Sequence, residues 1–337
     1  MTIDFKPDPD FSRIRRTLLL EGKPDRPPLG EFLIDRRIKE AILGRPLQTA
    51  ADEVEFWLKA GYDYVHVRPD YSLQVVDHHD DSIEGAGVIQ TWEDLRSRRW
   101  PWQDLDANVD YSQLAAVKQH LPKDMKIILS TGDIFTRVWM HMGFTHFCLA
   151  LFDNPELVSE LMRQHGEAML EINRRSVEIL GDSLGAIWYT DDIAFGTGLM
   201  VQPEFFRDQL FPWMKQIGDL AKSADVPYLY HTDGNLWTVF DDFAEIGINA
   251  IHPLEPNSMD AVEVKEKEGH RFCLVGNIDV DLLSRGTEAE VRALVRDRIE
   301  KLGYNGGYCV GSSNTIPPYV KVENYKAMIE ETLRGYA

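Results

Sequence analysis

The chain has 337 residues, and 44% of them are hydrophobic, which is enough for one large core. Its 55 acidic residues outnumber the 36 basic ones, and the net charge is -19. A surface this acidic repels nucleic-acid phosphates and anionic lipid, so neither nucleic acid nor a membrane is an expected partner. The N-terminus has no apolar run of signal-peptide length, and the three cysteines form no CxxC pair. These features predict a cytoplasmic protein with reduced thiols.

Eight short apolar runs alternate along the chain with segments of helical periodicity. In chain order the runs are PPLGEFLI, YDYVHVRP, MKIILST, LGAIWYTDD, VPYLYHTDG, INAIHPLEP, RFCLVGNID and GGYCVGSS. Strand–helix alternation predicts parallel strands joined by helical crossovers. Eight such units predict a single (β/α)8 TIM barrel over residues 1–337, with residues 1–25 as an N-terminal helical extension. A doubly wound open sheet is the alternative.

Polar residues gather where each predicted strand ends, and the carboxyl ends of barrel strands form the rim that carries the chemistry of (β/α)8 enzymes. Loops also begin at these points, which explains part of the pattern without any function. Acidic and imidazole groups set directly against apolar runs favour an active site. The strand-end residues are Glu31, Arg68, Asp70, Ser130, Thr131, Asp191, Asp192, His231, Asp233, His252, Glu255, Asn277, Asp279, Ser312 and Asn314.

The stretch YLYHTDGN, residues 228–235, places His231 and Asp233 two positions apart after a buried strand. Residues two apart on an extended chain point to the same side, and imidazole and carboxylate both bind zinc. Three interpretations are open: a metal site, a general acid–base histidine oriented by Asp233, or a histidine that only ties down its own loop. HHDD, residues 78–81, is not expected to bind metal, because consecutive loop residues rarely converge on one ion.

Two further groups of strand-end residues are site candidates. Asp191 and Asp192 are candidates for catalysis, because adjacent carboxylates shift each other's pKa and can hold a proton near neutrality. Alternatively, one of them caps the next turn while the other faces water. Glu31, Glu255 and Asn277 are candidates for substrate binding, and each could instead close its own loop.

Longer motifs carry a family resemblance. HTDG, GNID and PPYVKVENYKAM, together with LLLEGKPDRPPLGEF and GDIFTRVWMHMGFTHFCLALFDNPELVSELM, resemble the uroporphyrinogen decarboxylase superfamily. Within it, the chain is similar to the corrinoid-linked methyltransferase branch and its uncharacterised relatives. The resemblance implies a (β/α)8 barrel with a cleft at the carboxyl ends of the strands. It also implies one of two chemistries, methyl transfer or decarboxylation.

The motifs of the superfamily separate these two chemistries. Its decarboxylases carry an Arg-x-Ala-Gly-Arg pattern after the first strand, where this chain has only Arg36 and Arg37. Its methyltransferases hold zinc through a His-x-Cys pair after the fifth strand and a cysteine after the eighth. His231 matches the histidine, and Asp233 and Asn314 stand at the cysteine positions. The two thiolates of the usual zinc site are therefore missing. His231 and Asp233, with Asn314 or Glu255, would make a metal site of nitrogen and oxygen donors only, which would accept zinc, manganese or iron.

The sequence thus predicts methyl transfer from a small methylated, ether-type substrate to a corrinoid, either on a partner protein or as free cobalamin. A divalent metal, with zinc as first choice, would assist, and Asp191, Asp192 and His231 would be catalytic. A decarboxylase of a carboxylated substrate is the alternative. A barrel that binds a ligand or a corrinoid protein without catalysis is the second alternative. A homo-oligomer is compatible with the sequence.

Overall fold

The computed structural model describes residue 3, residues 5–71 and residues 87–336. Its centre is a parallel sheet of seven strands that pair in the order in which they follow one another along the chain. The strands are β1 (Tyr64–Val67), β2 (Lys126–Gly132), β3 (Leu184–Thr190), β4 (Tyr228–His231), β5 (Ala250–His252), β6 (Cys273–Ile278) and β7 (Tyr308–Ser312). Two small antiparallel ribbons pair Asp70–Tyr71 with Val109–Asp110 and Ala194–Phe195 with Gly198–Leu199.

Helices connect the strands in the part of the chain that the structure describes. They are α1 (Phe11–Leu18), α2 (Arg36–Leu43), α3 (Ala50–Lys59), α4 (Trp92–Arg96), α5 (Leu105–Asn108), α6 (Ser112–His120), α7 (Phe135–Met142), α8 (Phe144–Asp153), α9 (Pro155–Leu180), α10 (Pro203–Gln209), α11 (Phe211–Ser223), α12 (Phe240–Ile246), α13 (Ala261–Glu268), α14 (Val280–Arg285), α15 (Glu288–Leu302) and α16 (Val322–Leu333). Within residues 5–71 and 87–336, none of them is long and apolar enough to cross a bilayer.

Seven of the eight predicted runs form the strands of the central sheet. Nearly every strand residue is buried, because helices cover the sheet, and this explains why the runs are continuously apolar instead of alternating. Each connection between neighbouring strands carries at least one helix, as parallel strands require. The predicted TIM-barrel-like arrangement is confirmed for these seven strands.

The first predicted strand, residues 27–34, is the exception. It makes isolated parallel bridges from Leu29 to Val310 and from Ile34 to Ile316 instead of a continuous ladder. The Tyr64 hydroxyl accepts the backbone N–H of Glu31 at 2.7 Å and also donates to its carbonyl. These are the backbone groups of Glu31 that a neighbouring strand would pair. Among the described residues, this segment does not form the eighth strand that a closed barrel requires. The sheet is a curled one of seven strands.

The N-terminal segment is anchored at the opposite end of the sheet from the strand ends that carry the candidate residues. Asp63, which directly precedes β1, is buried and accepts hydrogen bonds from Arg13 of α1 at 2.5 Å and from Arg26 at 3.2 Å. Arg13 also pairs with Asp25 at 2.7 Å. Breaking such a buried charge network by removing one partner is costly, so the network holds α1 in place. The division of the chain into a barrel and an extension stays a prediction.

Candidate functional site

The carboxyl ends of the strands surround a cleft of about 230 Å³. Its walls come from the segment before α2 and from the ends of β1, β2, β3, β4 and β7, and they are mostly polar. The lining residues are Phe32, Leu33, Arg68, Tyr71, Ser130, Thr131, Asp133, Thr190, Asp191, Asp192, His231, Asn314 and Thr315. The structure therefore brings residues from distant parts of the sequence to one rim, as the strand-end pattern predicted.

Three of the predicted site residues form a compact cluster at this rim. One candidate ligand atom each from Asp192, His231 and Asp233 lies within 4.8 Å of the others. The His231 Nε2 and the Asp192 Oδ1 are 4.0 Å apart, and the same Oδ1 accepts the backbone N–H of Asp233 at 2.9 Å. The Asp192 side chain is 47% exposed, whereas that of His231 is 9% exposed. The cluster thus has a buried imidazole at its base and a half-exposed carboxylate at its mouth.

Asp233 has one satisfied and one unsatisfied carboxylate oxygen. Its Oδ2 accepts a hydrogen bond from the Asn314 Nδ2 at 2.7 Å, while its buried Oδ1 has no hydrogen-bond partner among the described residues. Burial and the nearby Asp192 and Glu255 raise the pKa of Asp233 to about 7, and the bond from Asn314 opposes this rise. An unpaired buried oxygen is costly unless a ligand or a proton meets it.

The next residue, Gly234, explains how the Asp233 loop can lie so close to the cluster. Its φ of +92° is in the left-handed region that favours glycine, and a Cβ there would come within 2.6 Å of the Ala194 backbone. Glycine is therefore required where the loop passes the ribbon of Ala194–Phe195.

The donor set fits a divalent cation. Imidazole nitrogen and carboxylate oxygen bind zinc at about 2.0–2.2 Å, which places neighbouring ligand atoms about 3.3 Å apart. The cluster is wider than this, so closing it requires movement of the exposed Asp192 side chain. The sequence predicted His231, Asp233 and Asn314 as the ligands. The structure groups Asp192 with the first two and shows Asn314 donating to Asp233.

His231 is held firmly by its neighbours on both sides. Its carbonyl accepts the Asp191 N–H at 3.0 Å, and the following Thr232 N–H donates to the His252 carbonyl at 3.1 Å. The Nδ1 atoms of His231 and His252 are 2.7 Å apart. Burial lowers the pKa of His231, opposed by Asp192, and burial together with His231 holds the pKa of His252 well below its usual range. Burial thus favours the neutral form of the His231 imidazole, and the contact with His252 holds its orientation.

Asp191 lies next to the cluster but points into the protein. Its carboxylate accepts the backbone N–H groups of Ile134, Phe135 and Thr136 at 2.7–2.8 Å, and also the Tyr189 hydroxyl at 2.8 Å. These N–H groups are the unpaired donors at the start of α7, so Asp191 caps that helix. Burial, with Asp133 nearby, raises its pKa to about 7, and the backbone donors oppose this rise. The catalytic role predicted for Asp191 stays a prediction.

Glu31 is fully buried and is paired with the last strand. Its carboxylate accepts the Ser312 backbone N–H and, at 3.0 Å, the Ser312 hydroxyl. Burial raises its pKa to about 8, and the two Ser312 donors oppose this rise. These contacts link the first predicted strand to β7, where the sheet curls back on itself. Substrate binding by Glu31 remains untested.

The other two residues predicted to bind substrate are engaged in local contacts. Asn277, with a φ of +71°, donates from Nδ2 to the Leu254 carbonyl at 2.5 Å, while its buried Oδ1 has no hydrogen-bond partner in the part of the chain that the structure describes. Glu255 accepts the Ser258 hydroxyl at 2.8 Å. Neither lines the 230 Å³ cleft, so their predicted contact with substrate is untested. HHDD, residues 78–81, lies outside the described residues.

The sequence profile of the family described as Uroporphyrinogen decarboxylase (URO-D) matches residues 88–334. The chain belongs to this family. No curated protein matches the sequence.

One solved structure among those compared shares the fold of this URO-D chain. A methyltransferase from Methanosarcina mazei is similar with a TM-score of 0.70 and 17% identity, over 98% of this chain and 100% of the other. A putative vitamin-B12 independent methionine synthase from Listeria monocytogenes gives a TM-score of 0.48 at 10% identity, over 91% and 95% of the two chains. A rutinosidase from Aspergillus niger gives 0.47 at 12% identity, over 93% and 98%. Only the first of these similarities is strong enough to bear on the fold.

Two features of this URO-D cleft were not assigned a role from the sequence. The Phe32 ring packs over the two histidines, with ring centroids 4.6 Å from His231 and 5.4 Å from His252. Arg68 lies over the Tyr71 ring at 5.5 Å, and within residues 5–71 and 87–336 it has no ion pair. Phe32 directly follows Glu31, and neighbouring residues on an extended segment point to opposite sides. This alternation was the sequence signal that could have placed Phe32 on the cleft side.

Arg36 and Arg37 stand after the first predicted strand, where decarboxylases of the family would carry their arginine pattern. Arg36 pairs with Glu40 at 2.9 Å, and Arg37 donates to the Val320 carbonyl at 3.3 Å. Neither lines the cleft.

Proposed function

We propose that this protein transfers a methyl group from a small methylated, ether-type substrate to a corrinoid carrier, with a divalent cation held by Asp192, His231 and Asp233. Membership of the URO-D family and the fold shared with a methyltransferase support a methyltransferase-type enzyme. The observation that carries the proposal is the cluster of three donors at the cleft, with the unpaired Asp233 Oδ1 among them.

The donor set determines which methylated substrates suit the site. It contains no thiolate, because Asp233 and Asn314 stand where the methyltransferase branch has cysteines. Nitrogen and oxygen donors bind harder cations than thiolates do, and such cations prefer oxygen ligands. When bound, the cation supplies Lewis-acid chemistry at a substrate oxygen. An ether oxygen therefore fits this site better than a thiol does.

Methyl transfer from an ether requires that the oxygen leave with the electron pair of the broken C–O bond. The substrate loses its methyl group to the reduced corrinoid, which contributes the pair for the new bond, and a proton completes the alcohol product. Solvent reaches the mouth of the cleft and can deliver that proton, while the half-exposed Asp192 carboxylate serves as a ligand of the cation. Its Oδ2 has no hydrogen bond within the described part of the chain, while Asp233 and Asn314 hold the floor of the site.

The first experiment measures metal content and methyl transfer together. The protein is prepared without a metal-binding tag, and elemental analysis is expected to find about one divalent ion per chain. Methyl transfer to reduced cobalamin is followed by the absorbance of methylcobalamin with a panel of methyl ethers. The matched control is Asp279→Asn, since Asp279 lies on the same rim but caps α14 through the Asp281 N–H at 2.9 Å. Asparagine also caps helices well, so this variant should transfer methyl groups at the wild-type rate.

The alternatives predict different results in the same assays. Release of carbon dioxide from uroporphyrinogen, with no methylcobalamin formed from any donor, would make the protein a decarboxylase and contradict the proposal. Ligand or corrinoid-protein binding with neither reaction would assign it as a non-catalytic barrel. Full transfer activity in a metal-free protein would show that the reaction needs no cation. His231 would then act as an acid–base group.

A further inference from the structure

His231 and His252 are joined at the rim by a contact between their side chains. They end the adjacent strands β4 and β5 and are partners in the strand register. Their Nδ1 atoms are 2.7 Å apart, which leaves room for one hydrogen between them. One imidazole therefore donates and the other accepts. In a neutral imidazole only one ring nitrogen carries the hydrogen, so this choice sets the tautomer of His231.

The tautomer of His231 decides what its other nitrogen can do. If the Nδ1 of His231 donates to His252, the Nε2 has a lone pair that can bind a cation. If His252 donates instead, the Nε2 of His231 carries a hydrogen and can only donate. This Nε2 is the atom that faces the Asp192 Oδ1 at 4.0 Å in the cluster. The state of the histidine pair is thus coupled directly to the candidate cation site.

The surroundings of His252 leave it no competing polar contact within the described chain. It is fully buried, and its Nε2 has no hydrogen-bond partner. The rings of Trp188 and Phe32 stand nearly perpendicular to it, at 84° and 82°, with centroids 5.0 Å and 5.4 Å away. Such packing fixes the imidazole plane, so the Nδ1 of His252 stays directed at His231.

We propose that His252 is a positioning residue whose Nδ1 accepts the Nδ1–H of His231 and thereby presents the Nε2 lone pair of His231 to the cation. Histidines that bind metal generally donate their second N–H to a carboxylate, a carbonyl or a water, which fixes their tautomer and orientation. Here a neutral imidazole takes that place, so no further negative charge is added beside Asp192 and Asp233. This inference rests on the proposed function, because it assumes that the cluster binds a cation.

The test uses Co²⁺ as the probe, since its binding is visible by absorption and measurable by calorimetry. His252→Phe keeps a buried ring but removes the acceptor, whereas His252→Asn places an amide oxygen near the position of Nδ1. The matched control is His66→Phe, which removes another buried imidazole that packs on Phe32 at 6.1 Å but has no hydrogen bond to the cluster. Thermal unfolding of each variant reports on its packing.

We expect His252→Phe to raise the Kd for Co²⁺ by about 10- to 100-fold and to change the Co²⁺ absorption spectrum. His252→Asn should recover most of the affinity, and His66→Phe should bind as the wild type does. A wild-type Kd and spectrum in His252→Phe would overturn the proposal. An equal loss in His66→Phe would also overturn it, because packing alone would then explain the effect. If His252→Phe does not fold, His252→Asn and the following measurement decide.

Failure of the cation site itself is separated from failure of this inference by nitrogen-15 NMR of histidine-labelled, metal-free protein. The signals of His231 are assigned by their loss in His231→Gln. If the wild type binds no Co²⁺ or Zn²⁺, the proposed cation site is wrong, yet the tautomer can still be read. A hydrogen on the Nδ1 of His231 supports acceptance by His252, and a hydrogen on its Nε2 contradicts it.

Discussion

Asp191 and Asp192 are neighbours in sequence, but they lie in two different regions of the molecule. Asp191 points beneath the rim, where backbone donors of α7 and the Tyr189 hydroxyl surround it. Asp192 points into the cleft, where it joins His231 and Asp233 with its side chain half exposed. Glu31 resembles Asp191 in this respect, because both of its carboxylate oxygens accept hydrogen bonds from Ser312. Polar residues at strand ends therefore divide into a buried set that holds the rim together and an open set that is available to a ligand.

The largest expected effect of a change in the open set is on methyl transfer. Asp192→Asn keeps the shape of the side chain but removes its negative charge, and so weakens it as a donor to the proposed cation. We expect the transfer rate to fall about 100- to 1000-fold, with kcat affected more than substrate binding. Steady-state kinetics by methylcobalamin absorbance measures this, and urea unfolding should show no loss of stability. A normal rate in Asp192→Asn would show that the open carboxylate has no part in the reaction.

Removing the imidazole of the open set should also remove the cation. His231→Ala is expected to lose the bound divalent ion and to lower transfer about 100-fold or more, because it deletes the buried donor of the cluster. Elemental analysis of the purified variant checks this. Retention of about one ion per chain in His231→Ala would contradict the assigned cluster and direct attention to other donors.

In the buried set, the expected effect is on stability. Asp191→Ala leaves three backbone N–H groups at the start of α7 and the Tyr189 hydroxyl without their acceptor. Buried donors left unpaired cost about 1–3 kcal/mol each before relaxation, so we expect the free energy of unfolding to fall by about 3 kcal/mol. Urea unfolding measures it. Cation affinity should change by less than about threefold; a large loss of affinity at unchanged stability would place Asp191 in the open set.

Glu31, in the buried set, should make the stability of the protein depend on pH. Burial raises its pKa in the folded state to about 8, from an ordinary value of 4.5. The unfolded chain therefore releases the proton at lower pH than the folded protein does, and the stability of the wild type falls as pH rises from about 4.5 to about 8.

Glu31→Gln mimics the protonated acid and has no such dependence. Between about pH 5.5 and about pH 7, the wild type should lose about 2 kcal/mol of unfolding free energy relative to this variant. Urea unfolding of both proteins at several pH values tests this. Parallel stability curves for the two proteins would show that Glu31 ionises normally.

The smallest expected effect follows from removing Asn314, which holds Asp233 in the cluster. Asn314→Ala removes the donor that meets the Asp233 Oδ2 at 2.7 Å. Because Asn314 holds Asp233, a ligand in the proposed site, we expect cation affinity to fall by about tenfold while the ion still binds. Calorimetric titration with Zn²⁺ measures it. Complete loss of the ion would instead support the ligand role for Asn314 that the sequence predicted.

Much of the fold was predictable from the sequence because buried parallel strands are apolar on both faces. The runs that contain Ile127, Ile187, Leu229 and Val275 predicted β2, β3, β4 and β6, and the residues after these runs predicted the rim. The first run was harder, since PPLGEFLI looks as strand-like as the others. The Tyr64 hydroxyl takes the backbone groups of Glu31, and no local pattern reveals a contact between residues 33 positions apart.

The sequence by itself determined which residues stand at the strand ends, because strand length and burial are set by local composition. Only the tertiary structure decided which of them share a site. The contact between His231 and His252 spans 21 positions, and that between Asp233 and Asn314 spans 81. Such contacts depend on the register of neighbouring strands and on the curl of the sheet, which arise from packing throughout the core. The opposite directions of Asp191 and Asp192 likewise follow from where α7 packs. Two consecutive aspartates in a sequence give no local indication of which one points inward.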